Sequence, residues 1–285
     1  MIQKSRILLL LAAAALIPLA PAQAADYDPP IFVEEAEEFV PVEVGSGWYL
    51  RGDVGYVFST DMGGVDYRTF DPITASYGSA SFDDHSLDEN FTWGGGFGYR
   101  YNDWIRGDLT VDGFRADFDG TTSSDGPCST APAFAGTSCR SEDSSSVSVL
   151  SLMANGYVDL GTYVRVTPYV GAGVGYSYLS WDGLDSANYC VDGVGLCPGP
   201  GGAVSSADHD GEKDWRFTYA FMAGAAYDLT NNLKLDVGYK YRHIDGGDMF
   251  GWDDFSEAAG ASGIQGTDDG FSTHEVKVGL RYELW

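Results

Sequence analysis

From Trp48 to the C-terminus, apolar and polar residues alternate with a period of two in eight separate runs. "WYLRGDVGYVF" sets Trp48, Leu50, Val54, Tyr56 and Phe58 against Arg51 and Asp53. "FTWGGGFGYRY" sets Phe91, Trp93, Phe97, Tyr99 and Tyr101 against Thr92, Gly94, Gly96, Gly98 and Arg100. "IRGDLTVDG" opposes Ile105, Leu109 and Val111 to Arg106, Asp108 and Asp112. "LSLMANGYVDL", "TPYVGAGVGYSY" and "DWRFTYAFMAGAAYDL" repeat the pattern. In "LKLDVGYKYR", Leu233, Leu235, Val237, Tyr239 and Tyr241 oppose Lys234, Asp236, Lys240 and Arg242. "HEVKVGLRYELW" ends the chain with Val276, Val278, Leu280, Tyr282 and Leu284 on one side and Glu275, Lys277, Gly279, Arg281 and Glu283 on the other. Alternation at period two predicts half-buried strands, because successive side chains of a strand point to opposite faces.

The connections alternate as well. Runs two and three join through "ND", four and five through "GTYVRV", six and seven through "TNN". The spans 59–90, 119–146, 182–214 and 245–270 are long and read as loops. Short turns at one end and long loops at the other, with an even number of strands, predict a closed all-β fold. It is an eight-stranded antiparallel transmembrane β-barrel with periplasmic turns and extracellular loops.

Polarity decides which face meets lipid. A soluble eight-stranded barrel would hold its apolar residues inside, and its polar residues would face water. Here the polar faces carry Arg51, Asp53, Arg106, Asp108, Asp236, Lys240, Arg242, Glu275, Lys277 and Arg281. Packed into a lumen just wide enough for side chains, these can pair into a charged plug. The glycines of "WGGGFG" would leave room for them. The apolar faces then meet lipid, as a membrane barrel requires. Tyr99, Tyr101, Tyr227 and Tyr282 would sit at the periplasmic interface, and Phe58, Phe91, Trp93, Tyr178, Trp181 and Trp215 at the outer one.

Before the barrel stands "MIQKSRILLLLAAAALIPLAPAQA", with Lys4 and Arg6, an apolar run and Ala22-Gln23-Ala24. This is the layout of a secretory signal peptide over residues 1–24, too short for a spanning helix. An acidic, proline-rich linker follows over 25–46, and the barrel occupies 47–285. Export to an oxidising compartment suits four cysteines. They come as two near pairs, Cys128 with Cys139 and Cys190 with Cys197, and local disulfides are expected. Neither pair has the spacing or the histidine of a metal site, so no cofactor or metal is expected.

A formal net charge of -26 excludes nucleic-acid partners, whose phosphates need Lys and Arg. The spans 59–90, 182–214 and 245–270 each carry seven Asp or Glu and at most one Lys or Arg. Partners expected instead are outer-membrane lipid, lipopolysaccharide and an extracellular ligand taken by the loops.

Two further patterns point to function classes. Lys277, Gly279, Tyr282 and Leu284 have a spacing similar to the C-terminal signal by which the outer-membrane assembly machinery recognises its clients, with Trp285 one residue beyond it. Ser272 and His274 share the lipid-facing side at the outer rim, the one cluster suggestive of a lipid A-modifying hydrolase; without an assigned second carboxylate, a polar rim is the simpler reading. His85, His209 and His243 read as isolated.

The stretches "PPIFVEEAEEFVPVEVGSGWYLRGDVGY", "TPYVGAGVGYSY", "LKLDVGYKYR" and "HEVKVGLRYEL" resemble the opacity-type, eight-stranded outer-membrane proteins of alphaproteobacteria, grouped loosely as a porin family. The resemblance covers the mature chain apart from the long loops and is specific for architecture. It implies a cell-outer-membrane location in a Gram-negative envelope. Such families include structural proteins, adhesins and reported haem binders. The function expected here is a non-enzymatic structural or adhesin-like surface role, with a narrow, low-conductance channel as the alternative.

Overall fold

The alternating runs become strands that close on themselves. A computed structural model describes residues 47–88, 90–128, 132–191, 197 and 202–284. The expected signal peptide, the linker and Trp285 lie outside the described residues. In chain order the strands are β1 (Trp48–Met62), β2 (Val65–Asp71), β3 (Ser76–Ser81), β4 (Asp84–Leu87), β5 (Phe91–Arg100), β6 (Ile105–Ser124) and β7 (Ser138–Asp159). They continue with β8 (Val166–Trp181), β9 (Leu184–Val191), β10 (Ser205–His209), β11 (Lys213–Asp228), β12 (Leu233–Phe250) and β13 (Gly266–Glu283).

Eight of them form the ring β1-β5-β6-β7-β8-β11-β12-β13, antiparallel throughout, and β13 pairs back onto β1. Closure leaves the ring no open edge, so every ring strand has a ladder on both sides. The first and last strands of the ring meet at the short-turn end, where the Leu284 amide donates to the Trp48 carbonyl at 3.0 Å. Turn chemistry fixes that end. Asn102 Oδ1 accepts from the Trp104 and Ile105 amides at 2.8 and 2.7 Å. Between β7 and β8, Val164 and Arg165 take φ of 49° and 68°, and the Arg165 Nη2 donates to the Leu229 carbonyl at 2.8 Å. The left-handed conformation, strained for these residues, is held by that neighbouring turn.

The outer surface of the ring is an apolar band. Val54, Phe97, Leu109, Leu152, Val170, Val174, Phe221, Val237 and Val278 are all exposed on it. Tyr99, Tyr101, Tyr227 and Tyr282 are exposed near the short-turn end, and Phe58, Phe91, Trp93 and Trp215 near the other. Trp181 departs from the expected outer girdle: it is 2% exposed and points into the ring.

The reason is a change of phase along the strands. On β6, Leu109 and Val111 face outward, and then Phe114, Ala116 and Phe118 face inward. On β7, Val147 and Val149 face inward and Leu150 and Leu152 outward. On β8, Val174 and Tyr176 face outward and Leu179 and Trp181 inward. The switches sit side by side, since Phe114 pairs with Val149, Val149 with Leu179 and Leu150 with Tyr178. Below that level the outside is lipid and the inside polar. Above it the outside is water, so the apolar residues must turn in.

The upper part is therefore built like a soluble barrel. Val65, Leu87 and Leu184 from the connections join Phe118, Trp181, Ile244, Phe250 and Phe271 in one buried apolar cluster. Phe118, Trp181 and Phe250 meet with ring centroids 5.4–6.2 Å apart, the normal range for packed aromatics.

Much of each long connection is strand. Ring strands run on past the apolar band to Met62, Ser124 and Phe250, and β7 and β13 begin above it. The hairpin β2–β3 docks on β13, β4 on β6, and β9 and β10 extend the sheet from β7. Segments such as "SYGSAS" and "SSADH" have no apolar alternation, so their pattern carries no strand signal.

Candidate functional site

Within the apolar band the lumen is filled by charge, placed there by the inward phase of β1, β6, β7, β12 and β13. Arg51 donates to Asp53 at 3.2 Å and to Asp108 at 3.0 Å, and Lys277 pairs with Asp53. Lys240 reaches Asp112 at 3.0 Å, Arg242 also binds Asp112, and Arg242 lies 3.4 Å from Glu275. Nearer the short turns, Arg106 pairs with Asp159 at 3.0 Å and Arg281 with Asp236 at 3.5 Å. Neutral groups complete the packing. Asn155 Nδ2 donates to Asp108 at 2.7 Å, Thr92 to Glu275 at 2.5 Å, and the Arg106 guanidinium lies 4.0 Å from the Tyr157 ring centroid.

All ten lumen residues singled out from the sequence meet in this network. Two further members are Asp112 and Asp159. The alternation sets both on the polar faces of their runs, Asp112 in step with Arg106 and Asp108, but neither is among the expected lumen charges. With them, six cations face six carboxylates in the ion-paired lumen. The chain's net charge of -26 is therefore carried elsewhere. A neutral, paired interior is what a narrow low-dielectric space demands, because an unpaired ion there is costly.

The glycines beside the network are covered by side chains from neighbouring strands. A Cβ at Gly98 would collide with the ring of Tyr49, its cross-strand partner, whose hydroxyl donates to Asp108 at 3.2 Å. A Cβ at Gly94 would sit 3.1 Å from the Asp112 Cβ, so glycine there gives the carboxylate its place.

At the outer rim, Ser272 is not paired with His274. Its Oγ lies 3.0 Å from His243 Nδ1 and 2.9 Å from the Tyr241 hydroxyl, whereas His274 Nδ1 lies 2.6 Å from the Tyr239 hydroxyl. His243 is thus not isolated, and its Nε2 stands 3.6 Å from Asp245. Ser272 sits between His243 on β12 and Asp61 on β1, inside the ladder. Backbone amides committed to ladders are not free to stabilise an oxyanion. Among the described residues no group of three or more His, Cys, Asp or Glu could hold a metal ion.

Cys128 and Cys139 form one disulfide and Cys190 and Cys197 the other. The two lie closer than separate loops would place them, because Cys139 on β7 is the ladder partner of Cys190 on β9. In the terminal strand Lys277 points into the lumen, Gly279 packs on Asp53, and Tyr282 is 51% exposed on the lipid side.

Residues 9–283 match the family model for the outer membrane protein beta-barrel domain. An uncharacterized protein of Brucella melitensis biotype 1 is 38% identical over 274 residues, 89% of this chain and 90% of that one. An opacity protein of Neisseria gonorrhoeae is 25% identical over 144 residues, 48% of this chain and 52% of its own. Among solved structures, the outer membrane protein OprG of Pseudomonas aeruginosa aligns at 14% identity with a TM-score of 0.45, covering 84% of this chain and 95% of that chain.

Proposed function

This chain belongs to the outer membrane protein beta-barrel domain family, and from that premise we propose that it is a non-enzymatic, adhesin-like surface protein whose working part is the extracellular cap. It resides in the outer membrane, with its apolar band in lipid. The observation that carries the proposal is the double closure of the lumen. A layer of paired charges fills the membrane level, and above it Phe118, Trp181 and Phe250 pack across the interior with exposures of 0%, 2% and 2%. Solute passage would have to part both layers, whereas the cap needs no rearrangement to present its surface.

Supporting the interaction role, Asp119, Asp185 and Asp208 of the cap stand on paired strands. Around Ser272 the backbone amides are committed to the ladders with β1 and β12, which favours a non-enzymatic reading. We assign Lys277, Gly279, Tyr282 and Leu284 to recognition by the outer-membrane assembly machinery, because they lie on the strand that closes the ring. The alternative, a narrow low-conductance channel, is tested by liposome swelling. Vesicles carrying the refolded barrel should swell in small neutral sugars at the rate of protein-free vesicles. Rapid swelling would overturn the closed-lumen reading and make the channel the better one.

A further inference from the structure

We propose that the extracellular cap holds a binding site for a small organic ammonium ion, an aromatic-walled pocket with Asp143 as its counter-charge. The pocket is a cavity of about 170 Å³ beneath the sheet formed by β6, β7, β9 and β10. That is the space of roughly five or six waters at ~30 Å³ each, enough for a small amine and too little for a peptide. Its walls include Tyr67, Phe82, Phe250 and Leu184, and its polar groups include Asp143 and His209. Tyr67 and Phe82 stand edge to face with centroids 5.5 Å apart.

Asp143 is the unexplained group. It is 5% exposed. Its Oδ1 accepts from Ser141 at 2.8 Å and from Ser186, but its Oδ2 is buried without a partner. The cation nearest along its own strand, Arg140, is turned to Glu142 at 3.9 Å. Among the described residues lining the cavity there is no Lys or Arg. His209, whose Nδ1 is also buried and unpartnered, lines the same space. Burial, together with the Asp143 and Asp83 carboxylates, raises the Tyr67 phenol above its ordinary value, so Tyr67 stays neutral and supplies no counter-charge of its own.

A buried carboxylate without a counter-charge is costly, and a neutral guest would leave it so. A bare metal ion finds no group of three ligands among the described residues. An ammonium ion meets both halves of the pocket. Its charge faces Asp143, and its methyl or methylene groups lie against aromatic faces, the arrangement that favours cations over neutral isosteres.

On the opposite face of the sheet above the pocket lies a depression of about 630 Å³, lined by Asp84, Asp119, Glu142, Asp185 and Asp208 with no Lys or Arg among the described lining residues. Asp119, Ser144, Asp185 and Asp208 form one row across β6, β7, β9 and β10. Asp185 lies directly opposite Asp208, a like-charge pair that weakens a sheet, so the fold itself does not call for it. A cleft lined by one sign of charge raises the local concentration of the opposite ion.

The test is calorimetry on the full refolded barrel in micelles, with choline as the probe and its neutral carbon isostere, 3,3-dimethylbutanol, beside it. Choline should bind saturably, one per barrel, and the alcohol at least tenfold more weakly. Asp143→Asn should weaken choline at least tenfold while the unboiled protein keeps its folded mobility on a gel. Phe82→Leu, which leaves the carboxylate in place, should weaken it several-fold. Asp119→Asn should weaken it less and flatten its salt dependence. The site is refuted by wild-type protein that takes up no choline, which would leave water as the sole occupant. Equal binding of the alcohol, or Asp143→Asn within twofold of wild type, would refute it as well.

Discussion

Asp112→Ala should lower the stability of the barrel by about 3–5 kcal/mol, the cost of breaking a buried ion pair by removing one partner. Asp112 is 5% exposed and holds two cations, Lys240 at 3.0 Å and Arg242. Without it, those two face one another with Glu275, 3.4 Å from Arg242, as the one remaining carboxylate paired with either. Nothing apolar fills the gap, because Gly94 offers no side chain on that side. Water drawn into the lumen would soften the loss, so the lower end of the range is the firmer expectation. The readout is the temperature at which the unboiled band on a denaturing gel shifts to the unfolded position. It should fall clearly below that of wild type, and an unchanged transition would show that the lumen pairs carry no stability.

Val174→Arg should impair insertion by roughly 2–4 kcal/mol, the cost of a cation on the lipid face near the midplane. Val174 is 55% exposed on β8, between strands whose outward residues are all apolar at that height. Ser148→Arg provides the contrast. Ser148 also faces outward, but it pairs with Arg115 and Ser180 above the level where the strands change phase. Its substitution should cost about 0–1 kcal/mol, as at an interface. Folding yields in lipid vesicles at increasing urea would measure both. Equal penalties at the two sites would place the membrane boundary elsewhere.

The ring was legible because lipid on one side and charge on the other impose period two on every strand. Arg51, Arg106, Lys240 and Glu275 could be assigned to the interior from parity alone. Their partners could not. Arg242 and Asp112 are 130 residues apart, and nothing in either strand says which carboxylate a guanidinium will reach. The phase change was written in the chain, as in "VDGFRADF", where Val111 and Phe114 differ in parity. Taking every large apolar residue as lipid-facing hides it and sends Trp181 outward, although Trp181 shares the inward parity of Gly173 and Ser177. The cap strands β3 and β10 were illegible for another reason: they are polar on both faces, and their pairing comes from the strands beside them. The pocket at Asp143 lies deeper still, since Tyr67, Phe82 and Phe250 come together only through the docking of β2 and the course of β12.

Closure of the barrel by a charged layer and an apolar layer is put most directly to the test by single-channel recording of the refolded wild-type protein in planar bilayers. The prediction is a baseline without sustained steps across the physiological voltage range. A large, stable conductance in every inserted barrel would contradict that closure.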